Sequence, residues 1–260
     1  MTVLGDIIDG VREDLERRRA RVDLEQMKER AAAAAPARSF APEGFGLICE
    51  VKRSSPSKGA LADIADPAEL AAAYEAGGAA AISVLTEERR FGGSLEDFAA
   101  VRARVDVPLL RKDFMVDEYQ VYEARAYGAD IILLIVAALD DEQMHSLCER
   151  AHELGMAVLV EAHTSEEIAR AAKIGAKILG VNTRNLKDLS VDPARFAPLA
   201  AEATGHTHLV AESGVATSAE VELYAAAGAD LVLVGEALVK HGDPQTAVAE
   251  FTRAGRAQRS

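Results

Sequence analysis

The feature that most constrains the fold is a unit that recurs from Phe45 onward: a helical stretch ends at a glycine, a short connection follows, and an apolar run comes next. It appears as Gly78-Ala-Ala-Ala-Ile-Ser-Val-Leu85, Gly128-Ala-Asp-Ile-Ile-Leu-Leu-Ile135, Gly155-Met-Ala-Val-Leu-Val-Glu161, Gly175-Ala-Lys-Ile-Leu-Gly-Val-Asn182 and Gly228-Ala-Asp-Leu-Val-Leu-Val-Gly235. With Leu47–Lys52, Val107–Lys112 and His208–Glu212 these make eight candidate strands. Near-continuous Val, Ile and Leu runs belong to strands covered on both faces, as in a parallel sheet. The glycines suit helix carboxyl termini, where a left-handed backbone is easiest without a Cβ.

The intervening segments start as helices should. Asp66-Pro67 opens one, Ser94 precedes Leu95 with Asp97 three on, Thr164 precedes Ser165 with Glu167 three on, and Thr217 precedes Ser218 with Glu220 three on. Eight strand–helix alternations in 260 residues predict a closed (β/α)₈ barrel, an α/β TIM-barrel fold, over an open doubly wound sheet. No Gly-x-Gly-x-x-Gly follows the first strand, where a dinucleotide-binding sheet would place it. No linker divides the chain, so residues 1–260 read as a single domain. Within it, residues 1–44 form an N-terminal helical extension: Leu4, Ile7, Ile8, Val11 and Leu15 recur at helical spacing, Leu24 and Met27 begin a second piece, and Pro36 ends it. This arm is expected across one end of the barrel or beside its mouth.

Marking the end of each strand gathers polar residues onto one rim. Strand one ends in Glu50 and Lys52, which share a face because side chains alternate along a strand. Strand three ends at Lys112 ahead of Phe114, strand five at Glu161, strand six at Asn182 with Arg184 beyond, and strand seven at Glu212-Ser213-Gly214. Strand eight ends at Gly235-Glu236. Unpaired charges are costly to bury, so Glu50, Glu161 and Glu212 with two lysines, an asparagine and an arginine on the carboxyl rim of a parallel barrel point to chemistry there. Loops after strands seven and eight form the recurrent phosphate site of such barrels, and Gly214, Gly235 and Glu236 are expected to offer backbone amides to an anion.

Composition narrows the partners. The net charge of -13 argues against nucleic acid, and no apolar run is long enough to span a bilayer. The opening residues lack the segments of a secretory leader, so the chain is expected in the cytoplasm. Cys49 and Cys148 form no ligand-spaced pair and read as free core thiols, and no metal site is implied. His163 reads as a solvated loop residue, and Arg17–Arg21 as a solvated helical face. A monomer is compatible with the chain, whose oligomeric state its residues leave open.

Taken together, these residues resemble the indole-3-glycerol phosphate synthases of tryptophan biosynthesis. The likeness runs through Glu50-Val-Lys-Arg-Ser-Ser-Pro-Ser, Ser83-Val-Leu-Thr-Glu with Phe91-Gly-Gly-Ser94, Leu110-Arg-Lys-Asp-Phe114, Val160-Glu161, Gly180-Val-Asn-Thr-Arg-Asn-Leu186, Ala211-Glu-Ser-Gly214 and Val234-Gly-Glu236. Thr183 departs from a family that often has asparagine there, and it should point away from the face of Asn182 and Arg184. The resemblance implies a carboxy-lyase. It would close the indole ring of 1-(2-carboxyphenylamino)-1-deoxyribulose 5-phosphate, a sugar phosphate carrying an anthranilate ring, with loss of carbon dioxide and water and without a cofactor. It further implies Lys112 as general acid, Glu161 as general base, and Lys52 at the substrate carboxylate, with the later proton donation open between the lysines. Glu50 would hold Lys52 charged; Asn182, Arg184 and Glu212 would align hydroxyls and developing charge. Ser55 and Ser213 would donate hydrogen bonds, and Phe91 and Phe114 would offer a surface to the aromatic ring.

Overall fold

The computed structural model describes residues 3–54, the backbone of 55, 59 and 60, and residues 64, 66–185 and 189–259. Eight parallel strands close into a barrel: β1 (Gly46–Val51), β2 (Ala81–Leu85), β3 (Leu109–Lys112), β4 (Ile131–Ile135), β5 (Ala157–Ala162), β6 (Ile178–Asn182), β7 (His208–Glu212) and β8 (Leu231–Val234). Neighbours around the ring are neighbours in sequence, and β1 closes it by pairing with both β2 and β8. Each of the eight expected strands lies within its predicted stretch or within one residue of it.

The alternation of side chains splits the core in two. Residues facing outward, such as Leu47, Cys49, Ile82, Val158 and Val181, pack under the surrounding helices. Those facing inward fill the barrel floor with Ile48, Leu110, Leu133, Leu159, Ile178, Val210 and Leu231. Two residues further along each of several strands, that apolar inner face turns polar, and this change locates the site. The free thiols of Cys49 and Cys148 are buried.

The helices begin as their caps dictate. The side chains of Asp66, Ser94 and Thr164 accept from the amides of the first turns of α3 (Pro67–Ala76), α4 (Leu95–Arg104) and α7 (Ser165–Lys173). Thr217 and Glu220 complete a capping box on α9 (Ser218–Ala226). Asp117 and Asp140 cap α5 (Glu118–Ala126) and α6 (Asp141–Glu153) in the same way.

Two helices precede the barrel, α1 (Val3–Arg19) and α2 (Leu24–Ala33), separated by a turn whose Asp23 caps the second. The α2 helix packs on α5, while α1 lies beside the carboxyl-end mouth, where Val3, Leu4 and Ile7 reach the cavity. The arginine run proves to be more than a solvated face. Arg18 donates to Glu123 at 2.8 Å, Arg19 pairs with Asp117, and Glu123 also contacts the fully buried Arg111 guanidinium at 2.9 Å. These ion pairs tie the arm to β3 and α5, which a reading of the helix alone had no means of showing. Among the described residues, no helix is long and apolar enough to cross a membrane.

Candidate active site

The inward positions explain why charge gathers at one end. Along β1 the inner face reads Ile48, Glu50 and then Lys52; on β3 Leu110 and Lys112; on β5 Leu159 and Glu161; on β7 Val210 and Glu212. Each apolar floor residue is followed two positions on by an ionisable one. All five of these charged side chains line one cavity at the carboxyl ends of the strands, with Phe91, Phe114, Asn182, Arg184, Ser213, Gly214, Gly235 and Glu236. Of the expected site residues only Ser55 cannot be placed there, because its side chain lies outside the described residues.

At the centre the Lys112 ammonium donates to Glu212 at 2.8 Å and lies 3.5 Å from Glu161. Glu50 and Lys52 form a second ion pair beside it. The three carboxylates are almost wholly enclosed, with side chains 4 % or less exposed. Burial disfavours the Lys112 ammonium, but Glu212, Glu161 and Glu50 outweigh it and hold the lysine firmly protonated. Burial also disfavours ionised Glu50, and the charges of Lys52 and Lys112 overcome this, so its pKa lies below the usual range.

Glu161 and Glu212 divide unequally. Two like charges ~4 Å apart repel by about 4 kcal/mol at an effective dielectric of about 20, enough to hold a proton on one of them. Burial and the Glu161 charge push Glu212 up. Glu161, which burial alone would also raise, is pulled down by Lys112 and by His163. The cluster therefore pairs an ionised carboxylate with one inclined to carry a proton, on either side of an ammonium.

His163 corrects the reading made from sequence. It is buried, not solvated, with Nε2 3.3 Å from Glu161 Oε1 and Nδ1 3.2 Å from Glu167 Oε2. Burial opposes its protonation, yet the two carboxylates raise its pKa to about 9.

Glycine at 180 is dictated by the same cluster. A Cβ built there would stand 2.1 Å from Glu212 Oε1 and 3.2 Å from its Cδ, so the bare backbone of β6 leaves the space that the β7 carboxylate occupies. Gly180→Ala should fold, displace Glu212 from Lys112 and cut kcat by about tenfold or more, since misplaced catalytic groups cost that much. Steady-state kinetics at unchanged thermal stability would check this; wild-type kcat would show that Glu212 does not need that position.

Loops complete the walls. The buried Glu87 carboxylate accepts from the amides of Arg89, Arg90 and Phe91 at 3.1, 2.7 and 3.0 Å, folding the turn that presents Phe91. Gly93 closes this turn, where a Cβ would lie 2.2 Å from Leu85 O. Phe91 and Phe114 meet at 6.1 Å between ring centroids, inclined by 39°, and form one aromatic wall. Arg89, on the same turn, grips Asp14 and Glu13 of α1.

At the opposite side, β7 runs into Ser213 and Gly214 in left-handed conformation, φ 68° and 79°. A non-glycine residue held there is strained, and the Tyr224 hydroxyl braces it by donating to Ser213 O at 2.9 Å. Gly235 packs on β1, where a Cβ would lie 2.8 Å from Glu50 O, and α10 (Glu236–Lys240) starts directly after it. The Glu236 carboxylate is turned onto Lys240 at 2.6 Å. Asn182 Oδ1 accepts from the Arg184 amide at 3.0 Å, and Arg184 reaches Leu189 O at 2.9 Å. Thr183 points away from this face, as expected; it is fully buried and donates to Glu212 O at 3.1 Å.

Comparison with known proteins agrees with this geometry. The fold resembles the crystal structure of 3-hexulose-6-phosphate synthase from Salmonella typhimurium, with a TM-score of 0.66 at 17% identity, covering 82% of this chain and 100% of that one. In sequence, the chain is 62% identical over 259 residues to indole-3-glycerol phosphate synthase of Streptomyces griseus, covering 98% of this chain and 96% of the relative. It is 59% identical over 263 residues to the protein of that name from Micrococcus luteus, covering 98% of each. A family model described as indole-3-glycerol phosphate synthase matches residues 4–251. With the barrel, the charged rim and this match over nearly its whole length, the chain belongs to the indole-3-glycerol phosphate synthase family.

Proposed function

We propose that the cavity binds 1-(2-carboxyphenylamino)-1-deoxyribulose 5-phosphate and converts it to indole-3-glycerol phosphate, with Lys112 as general acid and Glu161 as general base. The observation that carries this reading is the Lys112 ammonium held between Glu212 and Glu161 in a cavity that also has an aromatic wall. Family membership makes the chain a carboxy-lyase of tryptophan biosynthesis. The steps assigned to individual residues are our reading.

In that reading Phe91 and Phe114 receive the anthranilate ring, and the amides of Gly214, Gly235 and Glu236 receive the phosphate. Lys112 protonates the ketone oxygen as the ring carbon attacks. The lysine is held too tightly by its carboxylates to be a ready acid at rest. Protonation of Glu212, favoured by its raised pKa, removes one of those charges and loosens the proton. Once Lys112 has given its proton up, Glu161 loses the cation that depressed its basicity, so acid and base are activated in sequence by the same transfer. Lys52, paired with Glu50, meets the departing carboxylate, and Asn182, Arg184 and Ser213 align the hydroxyls and the developing charge. Ser55 is assigned as a further donor on its motif alone. A site assembled within one chain is compatible with a monomer, and unpaired buried thiols support a cytoplasmic setting.

The test is a fluorescence assay of the indole product, favoured by a chain without tryptophan. Indole-3-glycerol phosphate should appear in step with carbon dioxide, and borohydride added during turnover should trap no adduct, because a lysine held protonated is a poor nucleophile. A covalent adduct at Lys52 or Lys112 would establish Schiff-base chemistry in place of this mechanism; binding without carbon dioxide release would make the site non-catalytic.

A further inference from the structure

We propose that His163 is the positioning residue for the base, acting as a doubly protonated imidazolium that holds Glu161 ionised and fixes the direction of its carboxylate. The inference rests on the assignment of Glu161 made above.

The geometry carries it. Nδ1 is hydrogen-bonded to Glu167 at 3.2 Å, and Nε2 lies 3.3 Å from Glu161 Oε1, within ion-pair distance though not aligned as a hydrogen bond. Ionised carboxylates only accept, so the form of the ring that suits both neighbours carries a proton on each nitrogen. Glu167 is itself fixed, because it also accepts from the His163 amide at 2.7 Å and its own amide donates to Thr164 at the start of α7. The ring is thus anchored from the helix side and turned to the barrel. Among the described residues, Arg195 also meets His163, donating to its backbone O at 2.8 Å and not to the imidazole. Beyond Glu161 lie Lys112 and Glu212.

The arrangement repeats one across the barrel. On β1, Glu50 is followed two positions later by Lys52, and the two pair; at β5, Glu161 is followed two positions later by His163. In a ring of eight strands β1 and β5 stand opposite each other. Each carboxylate therefore has a cation from its own strand end, apart from the lysine at the centre. That gives Glu161 one cation that keeps its charge when Lys112 gives up a proton, which is the moment at which the carboxylate must remain correctly aimed.

The experiment compares pH profiles of kcat and kcat/KM for the wild type, His163→Gln, His163→Lys, Glu167→Gln and Glu161→Gln. Loss of the imidazolium should raise the Glu161 pKa and release the direction of its carboxylate, and the misaimed base should lower kcat of His163→Gln about tenfold near neutrality with KM within about threefold. Its acidic limb should move up by about one pH unit, and the deficit near neutrality should persist until the wild-type imidazolium itself loses its proton at about pH 9. His163→Lys restores a cation in the pattern of β1 and should return the limb most of the way, while Glu167→Gln should move it upward by less. In the Glu161→Gln background, adding His163→Gln should change kcat by less than about twofold. A wild-type limb in both His163→Gln and Glu167→Gln, or an undiminished His163→Gln effect in the Glu161→Gln background, overturns the inference while leaving the base in place. Wild-type turnover in Glu161→Gln itself would reject the base assignment, and the inference with it.

Discussion

Lys112→Ala should lower kcat by about a thousandfold while substrate affinity stays within about tenfold, roughly 1.4 kcal/mol. The reason is where the charge sits. Among the described residues Lys112 is the only cation in contact with both Glu161 and Glu212, so its removal takes away the proton donor and leaves Glu50, Glu161 and Glu212 buried around a void. Those carboxylates cannot all stay ionised without it, and they should take up protons near neutrality. The variant therefore loses its acid and compromises its base together, which places the loss in the chemical step. The aromatic wall and the phosphate loops do not touch this lysine's role, so binding should survive. Single-turnover fluorescence together with equilibrium binding of product separates the two effects. Near-wild-type turnover would reject Lys112 as the acid.

The second large effect is expected from Glu161→Gln, an exchange that keeps size and shape and removes only a charge and a proton acceptor. The amide cannot serve as base, and general bases contribute about 10²–10⁴ in rate. A second consequence follows from the coupling of the carboxylates. With no charge at 161, Glu212 loses the repulsion that raised its pKa and remains ionised against Lys112. The ammonium then keeps its proton more tightly, so the acid is weakened as well. We expect kcat to fall at least a hundredfold, with the acidic limb assigned to Glu161 lost from the pH profile. A variant of undiminished kcat with that limb intact would show that another group takes the proton.

The barrel was legible in the sequence because its signal is local. An apolar run after a glycine describes a buried parallel strand, and the first polar residue of the inner-face series, two past Ile48, Leu110, Leu159 or Val210, falls at the mouth. The rim could thus be assembled from position alone. What the sequence did not disclose depends on which elements face each other. His163 carries no local mark separating it from a loop histidine; only the approach of α7 and β5 supplies its two carboxylates. Gly180 reads as an ordinary strand glycine until the side chain from the next strand is seen resting on it. Glu87 looks like one more charged loop residue, yet its carboxylate organises the turn bearing Phe91. The arginines of α1 have the spacing of a solvated face, and it took the buried Arg111–Glu123 pair to give Arg18 a partner. Gly180 and Arg18 meet partners from distant stretches, whereas His163 and Glu87 find theirs within four residues, through turns whose geometry the residue types alone do not specify.

The most direct test of the account is a crystal structure with indole-3-glycerol phosphate bound. The phosphate should lie on the amides of Gly214, Gly235 and Glu236, the indole against Phe91 and Phe114, and the Lys112 ammonium within hydrogen-bonding reach of the ligand while still in contact with Glu212 or Glu161. A phosphate seated away from the β7 and β8 loops, or a ligand that leaves Lys112 and Glu161 untouched, would contradict it.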